Sequence, residues 1–282
     1  MTTKTIRPFL AITFGLTWGL AALLFLFYEQ IVAIFGEVGP TNPLFILAVY
    51  SPGIAGVLLV WRHYGLHGLG SFFRRLTLWR APKLWWLFLI VGIPAIVYTG
   101  AAVKGTIDDQ FPFSPWYQVL PALALALFLG PIEEFGWRGL ALPLLQRRFN
   151  PFWAGLILGI IWATWHIPSF FLSGTPQSSW SFGPYFLGIV AISIILTPLF
   201  NAARGSLLIA VLYHFQMMNP ICPDAQPWDN LLFIAAAVII VWLNRRQMFQ
   251  KGAGVTDVLM PEESSLHPVP RHGRKLPVGR MD

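Results

Sequence analysis

Two adjacent glutamates with an arginine four residues behind them are the most unusual feature of this sequence. They lie in PIEEFGWRG, residues 131–139, in a chain that is 56% hydrophobic and only 11% charged. On a helix, Glu134 and Arg138 share a face, so their spacing predicts an ion pair. Glu133 is turned by about 100° from Glu134 and lacks that partner. Glu133 is therefore the candidate for proton transfer, and Glu134 and Arg138 are the supporting residues.

Two histidines lie in other apolar segments of the chain, at His166 and His214. An ionisable residue within a membrane costs several kcal/mol unless it is paired or hydrated, so each is a functional candidate. Counted from the nearest basic loop at about 1.5 Å per residue, Glu133 lies roughly 21 Å deep, His166 roughly 22 Å and His214 roughly 15 Å. Each histidine alone could equally be a hydrogen-bonded packing residue. Together with Glu133, however, they predict one site formed by three helices.

The elements that must position these residues are helices that cross a membrane. The mean hydropathy is +0.62, and apolar runs of about the length that spans a bilayer recur along the chain. The predicted fold is all-α, a polytopic membrane bundle of about eight transmembrane helices within residues 1–250. Gly155 and Gly159 have the small-xxx-small spacing of close helix packing. The predicted spans cover residues 8–27, 43–61, 84–103, 116–145, 152–171, 184–203, 205–221 and 230–243.

The placement of charge predicts the orientation of these helices. With eight spans, nearly all lysines and arginines outside the spans fall on the side of both termini, and the opposite loops hold mainly Asp and Glu. Since basic loops stay in the cytoplasm, both termini are predicted to be cytoplasmic, in the cell membrane. The net charge of +7 then reflects orientation, so a nucleic-acid partner is not expected. Residues 251–282 are polar and are predicted to form a disordered cytoplasmic tail.

Three motifs in this chain resemble those of a known family. Glu133, Glu134 and Arg138 form Glu-Glu-x-x-x-Arg, Trp162 and His166 form aromatic-x-x-x-His, and RGSLLIAVLYH is a small-residue helix start that leads to a histidine, His214. Through them, residues 116–220 resemble the CAAX-prenyl-protease and bacteriocin-processing family of intramembrane proteases, also called the abortive-infection family. That family usually carries Asn or Asp four residues after the last histidine. Here that position is Met218, and the nearest polar residues are Gln216 and Asn219.

The resemblance implies hydrolysis of a peptide bond in a membrane-associated protein or peptide. Glu133 and His166 would activate a water, and His214, with Asn219 or Gln216, would hold the oxyanion. No cofactor is expected, although Glu133, His166 and His214 are also a set of side chains that zinc can use. We expect the three to line one cavity that opens towards the cytoplasm, with Met218 pointing inward beside His214.

Two other functions fit the same residues. A proton-coupled carrier would use the glutamates and histidines as a relay, but it needs polar groups that continue to both membrane faces. The outer halves of the predicted helices are almost wholly apolar, which favours an enzyme with a cavity open on one side. The second is a catalytically silent membrane scaffold, for example one of the bacteriocin-immunity type. The partners predicted in every case include the lipid bilayer.

Overall fold

The chain folds into an all-α polytopic bundle in the computed structural model, which describes residues 1–109 and 111–259. Five of its helices are long and apolar enough to cross a membrane: α1, α3, α4, α5 and α7 below. Three shorter apolar helices, α6, α8 and α9, complete the eight predicted segments. In chain order the helices are α1 (Thr3–Leu26), α2 (Tyr28–Phe35), α3 (Pro43–Thr77), α4 (Lys83–Lys104), α5 (Trp116–Gln146), α6 (Pro151–Trp165), α7 (Phe182–Ala202), α8 (Leu207–Met217), α9 (Trp228–Leu243) and α10 (Arg245–Phe249).

Helix α5, which carries the two glutamates, changes its geometry along its length. Its first half ends at Phe128, and regular hydrogen bonding resumes at Pro131, whose missing N–H suits the first turn of a helix. The helix then widens to π-type hydrogen bonding over Trp137–Ala141, a feature that often marks functional sites. Glu133 and Glu134 therefore lie in the first turn of a new helical segment, halfway along α5.

Close packing of α3 against α5 holds that turn in place. A Cβ atom added to Gly53 would lie 2.7 Å from the carbonyl oxygen of Ile132, and one added to Gly136 would lie 2.2 Å from that of Pro52. At such distances the two backbones touch directly, which only small residues allow. The turn that carries Glu133 is thus fixed against the backbone of α3.

The same kind of contact joins α6 to α7. A Cβ atom on Gly155 would lie 2.4 Å from Thr197 Oγ1, and one on Gly159 would lie 2.9 Å from Val190 Cα. The close packing predicted from the spacing of these glycines is therefore confirmed. It fixes α6, whose last turn carries Trp162 and leads into His166, against the long helix α7.

The loops gather at the two ends of the bundle. At one end, Arg147 Nη1 donates to Met1 O at 2.7 Å, and Arg75 Nε donates to Gly205 O at 2.8 Å. We call this the basic end; it comprises residues 1–7, 62–83, 146–151, 202–207 and 244–259. At the opposite end, Lys104 Nζ lies 2.6 Å from Asp224 Oδ2. We call this the acidic end; it comprises residues 27–42, 104–109, 111–118, 166–181 and 218–228.

Residues just beyond position 250 belong to the packed domain. Val255 N donates to Asn201 Oδ1 at 3.0 Å, Arg147 Nη2 donates to Thr256 O at 3.2 Å, and Leu259 is buried. The packed domain therefore extends at least to Leu259, nine residues past the predicted boundary at 250, because polar atoms of α5 and α7 bind the backbone there. The rest of the predicted tail, residues 260–282, lies outside the described residues.

Candidate active site

One cavity of about 390 Å³ is lined by Glu133, His166 and His214 together. The structure thus brings the three side chains to one level, as their predicted depths required. The cavity exists because α6 and α8 end inside the bundle. Helix α8 has 11 residues and is about 16 Å long, well short of the roughly 30 Å of a hydrocarbon core.

Glu133 is held by two tryptophans that donate to the same carboxylate oxygen. Trp162 Nε1 lies 2.9 Å from Glu133 Oε2, and Trp137 Nε1 lies 3.2 Å from it. Glu133 is buried but lines the cavity, so Oε1 is the oxygen left to meet a water there. Sequence reasoning missed both donors. The i,i+4 spacing of Glu133 and Trp137 is a signal that could have found one of them.

Glu134 forms the predicted ion pair and a second contact that was not predicted. Its Oε1 lies 3.0 Å from Arg138 Nη1 and 2.8 Å from His214 Nδ1. Glu134 and Arg138 are fully buried. Because an ionised carboxylate only accepts, Nδ1 of His214 carries the hydrogen and donates it. Glu134 therefore fixes both the orientation and the tautomer of His214.

Trp162 contacts four residues of the site: Glu133, Arg138, His166 and His214. Besides its bond to Glu133, its ring lies under the guanidinium of Arg138, 4.6 Å from centroid to Cζ, a cation–π distance. Its carbonyl oxygen lies 2.8 Å from His166 Nδ1, and its ring centroid lies 5.4 Å from that of His214. In the sequence, Trp162 stands out only as the aromatic residue of the aromatic-x-x-x-His motif. The structure makes it the central packing residue of the site.

The predicted span 152–171 placed His166 inside a spanning helix. In the structure, His166 instead caps the C-terminal end of α6. Pro168 lacks an N–H and disfavours helix in the residue before it, so α6 ends at Trp165, just ahead of this proline. Nδ1 donates to the carbonyl of Trp162, which can only accept. Nε2 is therefore the nitrogen that can accept a proton or a water hydrogen. The ring packs between Trp165 and Tyr185, with centroids at 4.7 and 5.5 Å.

Met218 points inward beside His214, as predicted. A Cβ atom added to Gly130 would lie 2.0 Å from Met218 Sδ and 2.9 Å from His214 Nε2, so the thioether and the imidazole share one small space. Met218 also lines the cavity. Met218 therefore occupies the space beside His214 Nε2 that a polar side chain could fill. Its thioether is a weak acceptor and has no hydrogen to donate.

Asn219, the predicted supporting residue, does not line the cavity. Its Nδ2 donates to Gln216 Oε1 at 3.1 Å, and its Oδ1 accepts from Ile221 N at 3.2 Å. Gln216 in turn donates to the carbonyl of Leu89 at 2.9 Å. The end of α8 at Met217 thus turns Asn219 towards the following loop, and neither polar residue reaches His214.

The direction in which the cavity opens differs from the prediction. Its wall is formed by the halves of the helices nearest the acidic end and by loops of that end, and none of the basic-end loops of the described chain contributes. The expectation that the cavity opens on the side of the termini, beneath apolar outer halves, is wrong. The physical reason is the length of two helices. Both α6 and α8 start at the basic end and are too short to cross the bundle, so space remains between their C-terminal ends and the acidic end. Lining residues from acidic-end loops include Pro40, His166, Ser169, Gln177, Trp180 and Gln226.

The residues as placed do not form a metal-ligand set. Within residues 1–109 and 111–259, no group of three His, Cys, Asp or Glu side chains is arranged to hold a metal ion. The zinc set considered from the sequence, Glu133, His166 and His214, is therefore not preassembled.

Comparison with known proteins confirms the resemblance drawn from the three motifs. Residues 115–218 match the family model described as Type II CAAX prenyl endopeptidase Rce1-like. A protein of Methanococcus maripaludis named CAAX prenyl protease 2 is 31% identical over 182 residues, a match that covers 60% of this chain and 65% of that protein. The chain therefore spans less than two thirds of that relative. The matched segment contains Glu133, His166 and His214.

Proposed function

We propose that this chain, whose residues 115–218 match the family model described as Type II CAAX prenyl endopeptidase Rce1-like, is an intramembrane endopeptidase. It would hydrolyse a peptide bond of a membrane-associated protein or peptide. The observation that carries the proposal is the arrangement of Glu133, His166 and His214 around one cavity, each oriented by a separate protein contact. A pocket with convergent polar groups inside an otherwise apolar bundle is the expected form of such a site.

Glu133 and His166 are suited to activate a water. Oε1 of Glu133 would take a proton from the water as its oxygen attacks the carbonyl carbon of the scissile bond. Nε2 of His166, the accepting nitrogen of that ring, would hold the same water in line. The proton then passes to the nitrogen of the leaving amine as the carbon–nitrogen bond breaks, so the products are a carboxylic acid and an amine.

His214 is suited to stabilise the oxyanion formed in that attack. Its Nδ1 is bound to Glu134, and Nε2 lies on the side of Gly130 and the cavity. When Nε2 also carries a proton, the imidazolium is paired with the carboxylate of Glu134 and can donate to the oxyanion. Because Met218 replaces a second polar group at this place, we expect the stabilisation to rest on His214 alone and the turnover to be slow.

The charges of the cavity wall support cleavage at an internal bond. Glu133 and Asp229 are the carboxylates that line it, and no Lys or Arg does so in the described chain. A site that binds the terminal carboxylate of a substrate usually supplies a cation or several N–H donors for it. The wall thus favours a substrate that passes through the cavity over one that ends in it.

The location proposed for the enzyme is the cell membrane, with both termini in the cytoplasm. The support is the gathering of lysines and arginines at the basic end, where the N-terminus also lies. Since the apolar faces of α1, α3, α4, α5 and α7 need lipid around them, the bilayer is the first partner of the protein.

The test is hydrolysis of a quenched fluorescent peptide library by the purified protein in detergent. We expect cleavage by the native chain and none by Glu133→Gln, with folding unchanged. The control is Glu29→Gln, which removes an exposed carboxylate at the acidic end and should leave cleavage intact. Equal loss in both variants, or cleavage that persists in Glu133→Gln, would contradict the proposal.

The same assay tests the metal. Because the three site residues are not preassembled as ligands, we propose that catalysis needs no metal and expect a chelator to leave the rate unchanged. A loss of activity that added zinc restores would establish a metal-dependent enzyme on the same residues. If no peptide is cleaved and the variants fold normally, the silent scaffold or the carrier becomes the better interpretation, and proton flux into sealed vesicles distinguishes those two.

A further inference from the structure

Arg75, in the last turn of α3, is a buried arginine at the basic end of the bundle. It is 4% exposed, and its guanidinium donates only to backbone carbonyls among the described residues. Nε lies 2.8 Å from Gly205 O, Nη1 lies 2.8 Å from Gly139 O and Nη2 lies 3.3 Å from Arg138 O. The planar fork of an arginine allows one side chain to reach all three acceptors at once. Arg75 therefore joins α3 to α5 and to the turn before α8.

The two carbonyls in α5 are open to the guanidinium because the helix lacks their usual donors. In an α-helix, the carbonyl of Gly139 would accept from the N–H of residue 143, but that residue is Pro143 and has no N–H. The carbonyl of Arg138 would accept from Leu142. The N–H of Leu142 instead bonds to the first carbonyl of the π segment Trp137–Ala141. The guanidinium thus supplies hydrogen bonds that the π segment cannot make by itself.

The third carbonyl belongs to the turn that leads into α8. Gly205 has a φ of 78°, a left-handed conformation that suits glycine, and its carbonyl accepts from Nε of Arg75. The next residue, Ser206, caps α8 by accepting a hydrogen bond from Ile209 N at 3.0 Å, and its hydroxyl donates to Leu78 O. The C-terminal end of α3 and the residue after it therefore hold the start of α8 at two consecutive residues.

These contacts bear on the active site because α8 carries His214. At about 1.5 Å per residue, His214 lies roughly 12 Å from Ser206 along the helix axis. Its 2.8 Å bond to Glu134 requires a fixed depth and rotation of α8 relative to α5. Because the helix is held along its length by its own hydrogen bonds, a shift of its first turn by about 1 Å would stretch that bond beyond hydrogen-bond length. The anchoring of the first turn thus decides where the imidazole lies.

We propose that Arg75 is a positioning residue for His214. Its guanidinium ties the π segment of α5 to the start of α8, and this link keeps the imidazole at hydrogen-bond distance from Glu134. Arg75 does not line the cavity, so it acts on the reaction through α8 and not by touching the substrate. The effect on catalysis rests on the proposed peptidase function, whereas the link between the two helices does not.

Hydrogen exchange in the purified full chain in detergent tests the link without any substrate. Arg75→Met keeps an unbranched side chain and removes every donor. We expect amide exchange in residues 137–142 and 205–210 to become about 10- to 100-fold faster, because each lost hydrogen bond has a charged donor. Arg75→Lys keeps the charge but has no planar fork, so the increase should be smaller. Arg62→Met, at an exposed arginine of the same helix, is the control and should change neither segment.

Hydrolysis of the quenched peptide library by the folded fraction tests the positioning role. In Arg75→Met, kcat should fall about tenfold or more while KM stays near the native value, because the cavity wall is intact and the oxyanion donor is displaced. Arg75→Lys should recover part of kcat, and Arg62→Met should keep the native kcat. An arginine that only packs would change the Tm and leave both kinetic constants of the folded fraction unchanged.

Unchanged exchange in both segments of Arg75→Met would overturn the link. So would failure of both Arg75 variants to fold, or a uniform rise in exchange across the chain, since Arg75 would then support the bundle as a whole. Faster exchange in the two segments with a native kcat would overturn the positioning role. Absence of cleavage by the native chain would instead contradict the peptidase function, and hydrogen exchange would still decide the link.

Discussion

Glu134 accepts a hydrogen bond from His214 Nδ1 at 2.8 Å, through the same oxygen that binds Arg138 at 3.0 Å. The buried carboxylate of Glu134 thus links α8, which carries His214, to the second half of α5, which carries Arg138. Its neighbour Glu133 makes no bond to either residue and binds Trp137 and Trp162 instead. The two adjacent glutamates therefore have separate partners, and substitutions should separate their roles.

Replacing either member of the Glu134–Arg138 pair should destabilise the protein. Glu134→Gln or Arg138→Gln leaves an uncompensated buried charge, at a cost of about 3–5 kcal/mol. We expect a lower yield of folded protein and a lower Tm in detergent for both variants. Glu134→Gln should also weaken the orientation of His214 and so reduce cleavage in the fraction that folds.

The matched control for that pair is Glu133→Gln, one residue away. It keeps the side-chain volume and leaves no buried charge without a partner, so its Tm should stay near that of the native chain. If Glu133→Gln unfolded the protein while Glu134→Gln stayed stable and inactive, the assignment of a structural role to Glu134 and a catalytic role to Glu133 would be reversed.

Trp162 should act as a positioning residue for Glu133. Trp162→Phe keeps an aromatic ring beside Arg138 and removes the N–H that binds Glu133 Oε2. A hydrogen bond to a charged group contributes about 1.5–3 kcal/mol, so kcat should fall about 10- to 100-fold while KM changes little. Trp153→Phe, at a half-exposed tryptophan of the same helix, is the control. A change confined to Tm would mean that Trp162 only packs.

Met218 should limit the rate of the proposed reaction. Met218→Asn would place an amide donor in the space beside His214 Nε2, where one oxyanion donor is worth up to about 10²–10³ in rate. We expect faster hydrolysis of the peptide library, by about tenfold or more given an unoptimised geometry. Met218→Leu has a similar volume and no donor, so it should match the native rate. A slower Met218→Asn enzyme would show that the thioether itself is needed.

The absence of a side chain at position 130 should be essential to the site. Gly130→Ala would bring a methyl group to 2.0 Å from Met218 Sδ and 2.9 Å from His214 Nε2, so both side chains must move. We expect loss of most cleavage with a small change in Tm. Adding Met218→Ala should restore part of the activity, because it removes the closest clash.

Gly15→Ala in α1 is the control for position 130, since nothing lies within 4 Å of a Cβ atom there. It should leave cleavage unchanged and slightly raise the Tm, because alanine favours a helix more than glycine does. Full activity in Gly130→Ala would mean that His214 is not held where the structure places it.

The sequence by itself determined the helical membrane architecture, the Glu134–Arg138 pair and the common level of Glu133, His166 and His214. These follow from hydropathy, the 3.6-residue period and the rise per residue, which act along one helix or relative to one membrane. The inward position of Met218 followed from the same period. The sequence also predicted which loops lie together at the basic end and which at the acidic end, because that depends only on the order of the spans.

Tertiary structure decided which partners those side chains take. The bonds from Trp162 to Glu133 and from His214 to Glu134 join α6 or α8 to α5, and no periodicity within one helix specifies contacts between helices. The early ends of α6 and α8 decided where empty space remains, and so reversed the predicted direction of the cavity. The packing of residues 251–259 likewise combines backbone hydrogen bonds to Gln146, Arg147 and Asn201 with burial of Leu259, and neither kind of contact follows from a period within one helix.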